Sequence, residues 1–259
     1  PDFSPRPELW AQMRAVAACG VLGDIFAERV AQEVRKALGT TKPSRFFQLL
    51  ADTGCLLPWL PEIEAARHVP AGPPERHDGS VFDHMLDMVD ILAGDALAGW
   101  MAVCHDLGKI ATPECEWPRH HGHDDRGEQV AGELGRRLKL PNRVREAGEA
   151  AAKLHMKAAR YHELRAGTRV DMLTWLHKHE MVEPLFEVVR ADSGITALPY
   201  AKRDLKVMLS VHLPGKQRQR GPLSGERLRN LRCQKLAEHD KAQGRAPEGV
   251  EGEQGQARG

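Results

Sequence analysis

The chain has 259 residues and a formal net charge of +1, so its total charge does not point to a nucleic-acid binder. Aromatic residues make up only 5%, and Ala, Leu, Glu and Arg are plentiful, which favours helix over sheet. No apolar run is long enough to span a membrane, and no signal-peptide pattern opens the chain. Five cysteines without CxxC spacing argue against a structural zinc site or a disulfide framework and predict a cytoplasmic location.

Helical signals dominate along the chain. Pro43 and Gly54 mark the start and end of one helix, and Pro58 and Pro61 bracket a short turn. Another helix carries His84, with apolar residues at helical spacing around it. The stretch 109–126 is predicted to be a loop rich in Pro and His. Further helices are predicted over residues 8–19, 27–38, 128–138, 143–156, 170–179 and 184–191.

One stretch carries the main chemical signal. It is Cys104-His105-Asp106-Leu107-Gly108-Lys109, which follows an apolar segment. An adjacent histidine and aspartate form a mixed nitrogen and oxygen donor set that suits a divalent cation. Two further donors lie far enough along the chain to belong to separate helices, and three helices of a bundle can bring four ligands together. The sequence therefore predicts a metal site formed by His84, His105, Asp106 and Asp192.

Three other His-Asp dipeptides serve as internal comparisons. His77-Asp78 lies in a polar linker, His123-Asp124 in a His-rich loop, and His239-Asp240 in a tail predicted to be disordered. Only His105-Asp106 follows an apolar helix, where a buried charged pair is costly without a partner such as a metal. The alternative for this pair is a hydrogen-bonded couple in the core. The alternatives for the other two predicted ligands are a polar helix position and a turn aspartate.

Lys109 and several histidines are candidates for contact with a substrate phosphate. Lys109 offers a point charge three residues past the ligand aspartate, with a solvated lysine at a helix end as the alternative. His123 and His155 together complete a second metal site or contact the phosphate. His120 and His121 are equally compatible with an exposed polar loop. Ordinary surface positions are predicted for His162, His177 and His179.

Four segments stand in a recognisable order along the chain. They are PSRFFQLL at 43–50, CHDLGK at 104–109 with WPRHHGH at 117–123, LKLPN at 138–142, and GPLSGERL at 221–228. Together these segments resemble the HD-domain portion of bacterial tRNA nucleotidyltransferases, the multifunctional CCA-adding enzymes. The resemblance covers about residues 8–238. It departs at Met156, because the related enzymes often carry an aspartate after the corresponding histidine.

The resemblance implies an all-α fold. The expected architecture is an HD-domain helical bundle with an N-terminal helical body segment and a disordered C-terminal tail. The implied organisation is a body segment at 1–67, a linker at 68–80, an HD phosphohydrolase domain at 81–215, a basic helix at 216–240 and a disordered tail at 241–259.

The resemblance also implies a metal-dependent phosphohydrolase with 2',3'-cyclic phosphodiesterase, 2'-nucleotidase and phosphatase activities. A divalent ion (Mn, Ni, Co, Mg or Fe) would polarise a phosphoryl oxygen and lower the pKa of a bound water. Lys109 and His123 would stabilise the phosphate charge, and His155 would donate a proton to the leaving oxygen. The nucleotidyltransferase head with its Asp-x-Asp motif is not found, so the chain is not expected to add CCA by itself. The expected catalytic residues are His105, Asp106, Lys109, His123 and His155.

The main alternative is a tRNA-binding module without catalysis, because phosphate contacts need Lys and Arg clusters. A nucleotidase acting on free nucleotides is a second alternative. The expected partners are a phosphate-ester or nucleotide substrate and tRNA, with no membrane, and a homodimer is compatible with the sequence. The basic cluster is near the C-terminus, with a solvated helix face as its alternative, and consists of Lys216, Arg218, Arg220, Arg227, Arg229 and Arg232.

Overall fold

The computed structural model describes residues 6–75, 79–215 and 221–244. Within these ranges all the regular secondary-structure elements are helices, and one isolated β-bridge joins Pro70 to Ser80. The predicted all-α fold is therefore confirmed. The α-helices are α1 (Pro7–Ala18), α2 (Ala27–Leu38), α3 (Ser44–Thr53), α4 (Pro61–Ala66), α5 (Val81–Ile91), α6 (Ala96–Cys104), α7 (His123–Arg137), α8 (Asn142–Ala159), α9 (Ala166–Lys178), α10 (Val182–Ser193), α11 (Leu198–Leu209) and α12 (Pro222–Ala242).

Helix ends follow the local sequence signals closely. The predicted helix over 27–38 coincides with α2, and α3 follows Pro43 directly. Gly54 ends α3 in the left-handed region at φ 73°, a conformation that glycine adopts without a steric penalty. These boundaries could be predicted because Pro and Gly restrict or free the backbone dihedral angles at their own positions.

Some elements differ from the sequence predictions. The turn predicted between Pro58 and Pro61 is present, but α4, which was not predicted, begins at Pro61, where a proline in the first turn of a helix loses no hydrogen bond. The loop predicted between α6 and the C-terminal half contains two 3-10 helices, Leu107–Ala111 and Glu114–Glu116, and the first residues of α7. The helix α11 had no counterpart among the predictions.

The predicted basic helix corresponds to α12, which begins at Pro222. His239 and Asp240 lie inside this helix, as the implied helix at 216–240 has it, so the assignment of this dipeptide to a disordered tail was wrong. Leu236 is fully buried and Asp240 pairs with Arg169, and these contacts explain why the helix continues. The first five residues of the predicted basic helix, 216–220, and most of the predicted tail, 245–259, lie outside the described residues.

Contacts within the chain define two compact units. The first contains Pro1–Ala159 and Glu183–Thr196, and the second contains Arg160–Val182 and Ala197–Gly259. In the first unit α6 packs between α5 and α8, and α7 runs along α8. Gly148 of α8 allows this close approach, because a Cβ there would lie 2.8 Å from Sγ of Cys104. The functional boundaries inferred from the sequence stay predictions.

In the second unit α9, α11 and α12 pack together. Its interior holds the charged residue Arg169, which donates hydrogen bonds to Asp204 and Asp240. Tyr161 also donates to Asp204, at 2.9 Å. Two carboxylates thus neutralise one buried guanidinium, which is the condition for burying such a charge without a large penalty. None of the helices in the described part of the chain has the length and apolar content needed to cross a bilayer.

Candidate metal centre

His84 is placed by the start of α5. The hydroxyl of Ser80 accepts a hydrogen bond from the Asp83 backbone, and Asp83 in turn accepts one from the Ser80 backbone. This reciprocal capping box fixes where the helix begins. His84 follows one turn later, with 13% of its side chain exposed.

His105 and Asp106 lie at the end of α6. Asp95 caps the start of this helix by accepting hydrogen bonds from two backbone N–H groups, and most of the helix is buried. Asp106 leaves the helical conformation at φ −107° and ψ 3° and leads into the 3-10 helix Leu107–Ala111. This change of backbone direction lets the adjacent side chains of His105 and Asp106 point to the same place. Both residues are buried, with at most 5% of their surface exposed.

Four predicted ligands converge in what we call the first half-site, defined by His84, His105, Asp106 and Asp192. Nε2 of His84 lies 3.3 Å from Nε2 of His105 and 3.0 Å from Oδ1 of Asp192. Nε2 of His105 lies 3.4 Å from Oδ2 of Asp106 and 3.9 Å from Oδ1 of Asp192. Side chains more than 100 residues apart in sequence are therefore brought together, as the sequence predicted for a three-helix arrangement.

A second half-site shares Asp106 with the first and adds His123 and His155. The other carboxylate oxygen of Asp106, Oδ1, lies 3.5 Å from Nε2 of His123 and 3.7 Å from Nε2 of His155. The two imidazole Nε2 atoms are 3.3 Å apart. The three donor atoms of His84, His105 and Asp106, like those of Asp106, His123 and His155, all lie within 4.8 Å of one another.

Backbone carbonyl groups set which nitrogen of each buried imidazole carries the proton. Nδ1 of His105 lies 2.7 Å from the Ala102 oxygen, and Nδ1 of His123 lies 2.9 Å from the His120 oxygen. Nδ1 of His155 lies 3.0 Å from the Ala151 oxygen. A carbonyl only accepts, so each Nδ1 donates and each Nε2 is left with a lone pair.

Two lone pairs that face each other at 3.3 Å, as those of His123 and His155 do, repel unless a cation or a proton lies between them. Imidazole nitrogens with a carboxylate oxygen are suitable ligands for divalent transition metals. Metal-binding histidines commonly donate their other ring N–H to a backbone carbonyl or a carboxylate, which orients the ring. The residues present therefore fit a divalent cation in each half-site.

Lys109 is buried against the shared carboxylate. Its Nζ donates to Oδ2 of Asp106 and to the Ala71 carbonyl oxygen, both at 2.6 Å. Burial alone would raise the pKa of Asp106, but the Lys109 ammonium and the His105 ring hold it well below its usual range. Lys109 thus keeps Asp106 ionised and fixed, and its contact with a substrate phosphate stays a prediction.

The histidine pKa values differ within the centre. Burial lowers the pKa of His155 to about 4, because its charged form loses hydration. Burial also opposes ionisation of His105, but the neighbouring Asp106 carboxylate outweighs it and raises the pKa of His105. Unprotonated Nε2 atoms are what a metal site requires, and His155 meets this requirement at neutral pH.

His120 and His121, left open by the sequence, occupy different surroundings from the half-sites. His120 is buried, with Nδ1 2.6 Å from the Thr112 hydroxyl and Nε2 2.8 Å from the Pro70 oxygen. Both of its ring nitrogens are therefore used in holding the loop before α7. His121 is exposed, and its carbonyl accepts a hydrogen bond from Arg126.

The basic C-terminal cluster is only partly described. Lys216, Arg218 and Arg220 lie outside the described residues. Arg229 donates to both carboxylate oxygens of Asp171, at 2.6 and 2.7 Å, and Arg227 is exposed. The Nε atom of Arg232 is buried and contacts no acceptor in the described ranges. A role of this cluster in binding RNA stays a prediction.

Sequence reasoning missed three features of the centre. It did not show that Asp106 lies between both histidine groups, or that Lys109 binds this carboxylate. It also missed the contact of Gly108 with Gly127, where a Cβ on Gly108 would lie 2.5 Å from the Gly127 nitrogen. The glycine in the segment 104–109 was a visible signal for a close backbone approach, but its partner was not.

Comparisons with known proteins found one family model and several curated relatives that are similar to this chain. Residues 2–67 match a family model described as the probable RNA and SrmB-binding site of polymerase A. The chain is 43% identical to a "Multifunctional CCA protein" of Stenotrophomonas maltophilia over 66% of its own length and 43% of that relative. A protein of the same name from Methylococcus capsulatus is 35% identical over 89% of this chain and 58% of the relative.

The chain spans about half the length of the curated relatives it matches. A further "Multifunctional CCA protein", from Xanthomonas campestris, fits the same pattern, with 39% identity over 73% of this chain and 48% of the relative. The resemblance to multifunctional CCA proteins predicted from the sequence is thus confirmed. The assignment of an HD domain stays a prediction.

Proposed function

We propose that this chain is a divalent-metal-dependent phosphohydrolase of the HD type, acting on phosphate esters at RNA ends. The observation that carries the proposal is the pair of half-sites joined by Asp106, each with two imidazole Nε2 atoms 3.3 Å apart. The similarity to multifunctional CCA proteins and the RNA-related match over residues 2–67 favour an RNA substrate such as tRNA.

Each residue of the centre has a role that its contacts suggest. His84, His105 and Asp192 would hold one ion with Oδ2 of Asp106, and His123 and His155 a second with Oδ1. A bound divalent cation supplies Lewis-acid chemistry, polarising a phosphoryl oxygen and lowering the pKa of water. The metal is one of Mn, Ni, Co, Mg or Fe, which this donor set does not distinguish.

Lys109 acts through Asp106 in this proposal. Its ammonium group offsets the negative charge of a carboxylate whose two oxygens face different half-sites, and its second bond to Ala71 keeps it in place. His155 is better suited to be a ligand than the proton donor expected from the sequence. Its Nδ1 is engaged by backbone carbonyls and its Nε2 faces His123, so neither nitrogen is directed at a leaving group.

The test compares two isosteric variants of neighbouring His-Asp dipeptides. Metal-stripped wild type, Asp106→Asn and Asp124→Asn are offered 2',3'-cyclic AMP, 2'-AMP and p-nitrophenyl phosphate with and without Ni²⁺, Mn²⁺ or Mg²⁺. We expect metal-stimulated hydrolysis by the wild type and Asp124→Asn, and a loss of at least about 100-fold in Asp106→Asn. Circular dichroism establishes that both variants are folded. Absence of metal-stimulated turnover on all three substrates would refute the phosphohydrolase.

The family match on residues 2–67 favours one second candidate, an RNA-binding module without catalysis. This candidate predicts that Asp106→Asn binds tRNA as tightly as the wild type and that no metal-dependent hydrolysis is present in either protein. The phosphohydrolase predicts the same tRNA affinity but a difference in hydrolysis. Measuring both quantities on the same preparations separates the two.

A further inference from the structure

The near-neutral charge of the chain conceals a large difference between its two units. The sequence segments of the first unit contain 20 Lys and Arg against 26 Asp and Glu, a net charge of −6. Those of the second unit contain 17 against 10, a net charge of +7. The candidate metal centre belongs to the acidic unit. The basic unit therefore has the charge that attracts a polyanion, independently of the centre.

Within the basic unit, α11 concentrates exposed positive charge. Lys202 and Lys206 are exposed one turn apart, and Arg203 is half-buried between them. The one acid in this helix, Asp204, is fully buried and is neutralised by Arg169 and Arg203. The exposed face of α11 thus carries two lysines, and the one acid of this helix is buried.

An aromatic platform lies at the start of the same helix face. Tyr200 is 43% exposed, and its ring centroid is 4.3 Å from that of His162, at an interplanar angle of 85°. The guanidinium carbon of Arg203 lies 5.5 Å from the Tyr200 ring centroid. Arg203 is itself held by two hydrogen bonds to Asp204, of 3.0 and 2.8 Å. The Tyr200 ring is therefore held in place by two neighbours while much of it remains open to solvent.

More positive charge flanks the histidine of this platform. His162 lies in the 3-10 helix Tyr161–Glu163, which is bordered by the exposed residues Arg160 and Arg165. Glu163 is the single acid of the stretch 160–165. The platform therefore combines exposed ring surface with neighbouring cations, the combination by which proteins bind single-stranded nucleic acid.

We propose that Tyr200, His162, Lys202 and Lys206 form a docking surface for single-stranded RNA on the second unit. An unpaired base would stack on the exposed part of the Tyr200–His162 pair, and the two lysines would contact adjacent phosphates. A single strand is favoured over a duplex because stacking on a side chain requires an unpaired base. The surface is separate from the RNA-related match at residues 2–67, and its existence does not depend on the phosphohydrolase.

The test uses the full chain and a fluorescein-labelled single-stranded 12-nucleotide RNA, with a duplex of the same sequence for comparison. Fluorescence anisotropy is measured for Tyr200→Ala and Tyr200→Phe, with Leu223→Ala as an exposed apolar control. We expect Tyr200→Ala to bind the single strand roughly 5- to 100-fold more weakly. Tyr200→Phe and Leu223→Ala retain wild-type affinity, since the ring and not the hydroxyl group stacks. Affinity for the duplex is unchanged in all three.

The phosphate contacts are tested with a pair of charge-matched double variants. Lys202→Gln/Lys206→Gln should reduce the slope of log affinity against log salt by about 1.4, the value for two contacts to a single strand. Lys235→Gln/Lys241→Gln removes the same charge from α12 and should leave that slope nearly unchanged. An equal change of the salt slope in both double variants would show that only net charge matters, and it would overturn the proposal.

Photocrosslinking locates the contact directly, whatever other RNA sites the chain has. An RNA carrying 4-thiouridine is expected to crosslink to the peptide containing Tyr200 and to lose that crosslink in Tyr200→Ala. Crosslinks confined to residues 2–67, wild-type affinity of Tyr200→Ala, or absence of RNA binding would each overturn the proposal. Hydrolysis of 2',3'-cyclic AMP is measured in parallel and should be unaffected by Tyr200→Ala, so failure here is distinguishable from failure of the phosphohydrolase.

Discussion

Replacing Gly108 with alanine tests whether backbone packing sets the position of the second half-site. The new Cβ would lie 1.8 Å from the His123 carbonyl oxygen and 2.5 Å from the Gly127 nitrogen. Ordinary contact begins at 3.4 Å, so the start of α7 would have to move by about 1.6 Å. Overpacking of this kind costs about 1–3 kcal/mol. The shift also exceeds the roughly 0.2 Å tolerance of metal–ligand distances, so His123 should leave the second half-site.

Calorimetric titration with Mn²⁺ and urea denaturation measure the two consequences separately. We expect the wild type to bind two ions per chain and Gly108→Ala to bind one, at the first half-site. Gly132→Ala, on the same helix, is the control. Its Cβ would meet Oε1 of Glu149 at 2.6 Å, the far end of a flexible side chain whose contact with Arg145 can adjust. A Gly108→Ala protein with two ions and wild-type stability would refute the reasoning.

Two further substitutions test interactions away from the centre. Asp90→Ala should lower the free energy of unfolding by about 1–2 kcal/mol at pH 7, because Asp90 accepts hydrogen bonds from the backbone and hydroxyl of Ser44 at the start of α3 and pairs with Lys42. Burial is outweighed by these partners, and the pKa of Asp90 falls below its ordinary 3.8. The stabilisation is therefore present above about pH 4 and is lost as the pH falls through the lowered pKa of Asp90. The urea midpoints of variant and wild type should approach each other as the pH is lowered from 4, and a constant difference would contradict this. Tyr161→Phe should cost about 1.5–3 kcal/mol in the same assay, because a buried hydrogen bond to Asp204 is lost, and unchanged stability would contradict that assignment.

Much of the helical framework was predictable because its signals are local. The amphipathic spacing of α2 and the Pro43 and Gly54 boundaries of α3 depend on residues within one helix turn. The end of α12 was expected from the resemblance and not from local signals. The sequence of its last turns is polar and is typical of a disordered tail. The burial of Leu236 and the ion pair of Asp240 with Arg169 depend on contacts distant in sequence.

The centre was predictable in its residue types and less so in its arrangement. The donors of both half-sites were candidates from the sequence because His-Asp after an apolar helix and clustered histidines suggest metal binding. Nothing in the spacing showed that the two oxygens of Asp106 face different histidine groups, since that depends on the distance between α7 and α6. The same holds for Lys109, whose charge reads as available for a substrate until its 2.6 Å contact with Asp106 is known.

The route of the chain around the centre affects how metal binding and folding are linked. After His155 the chain leaves the first unit through Arg160–Val182 and returns to it with α10, which carries Asp192. The ligands at the two ends of this excursion, with Asp106 between them, come together only in the folded chain, so an ion held by them would dissociate on unfolding. Loading the centre would therefore stabilise the folded state by mass action, and the free energy of unfolding would rise with the logarithm of the free metal concentration.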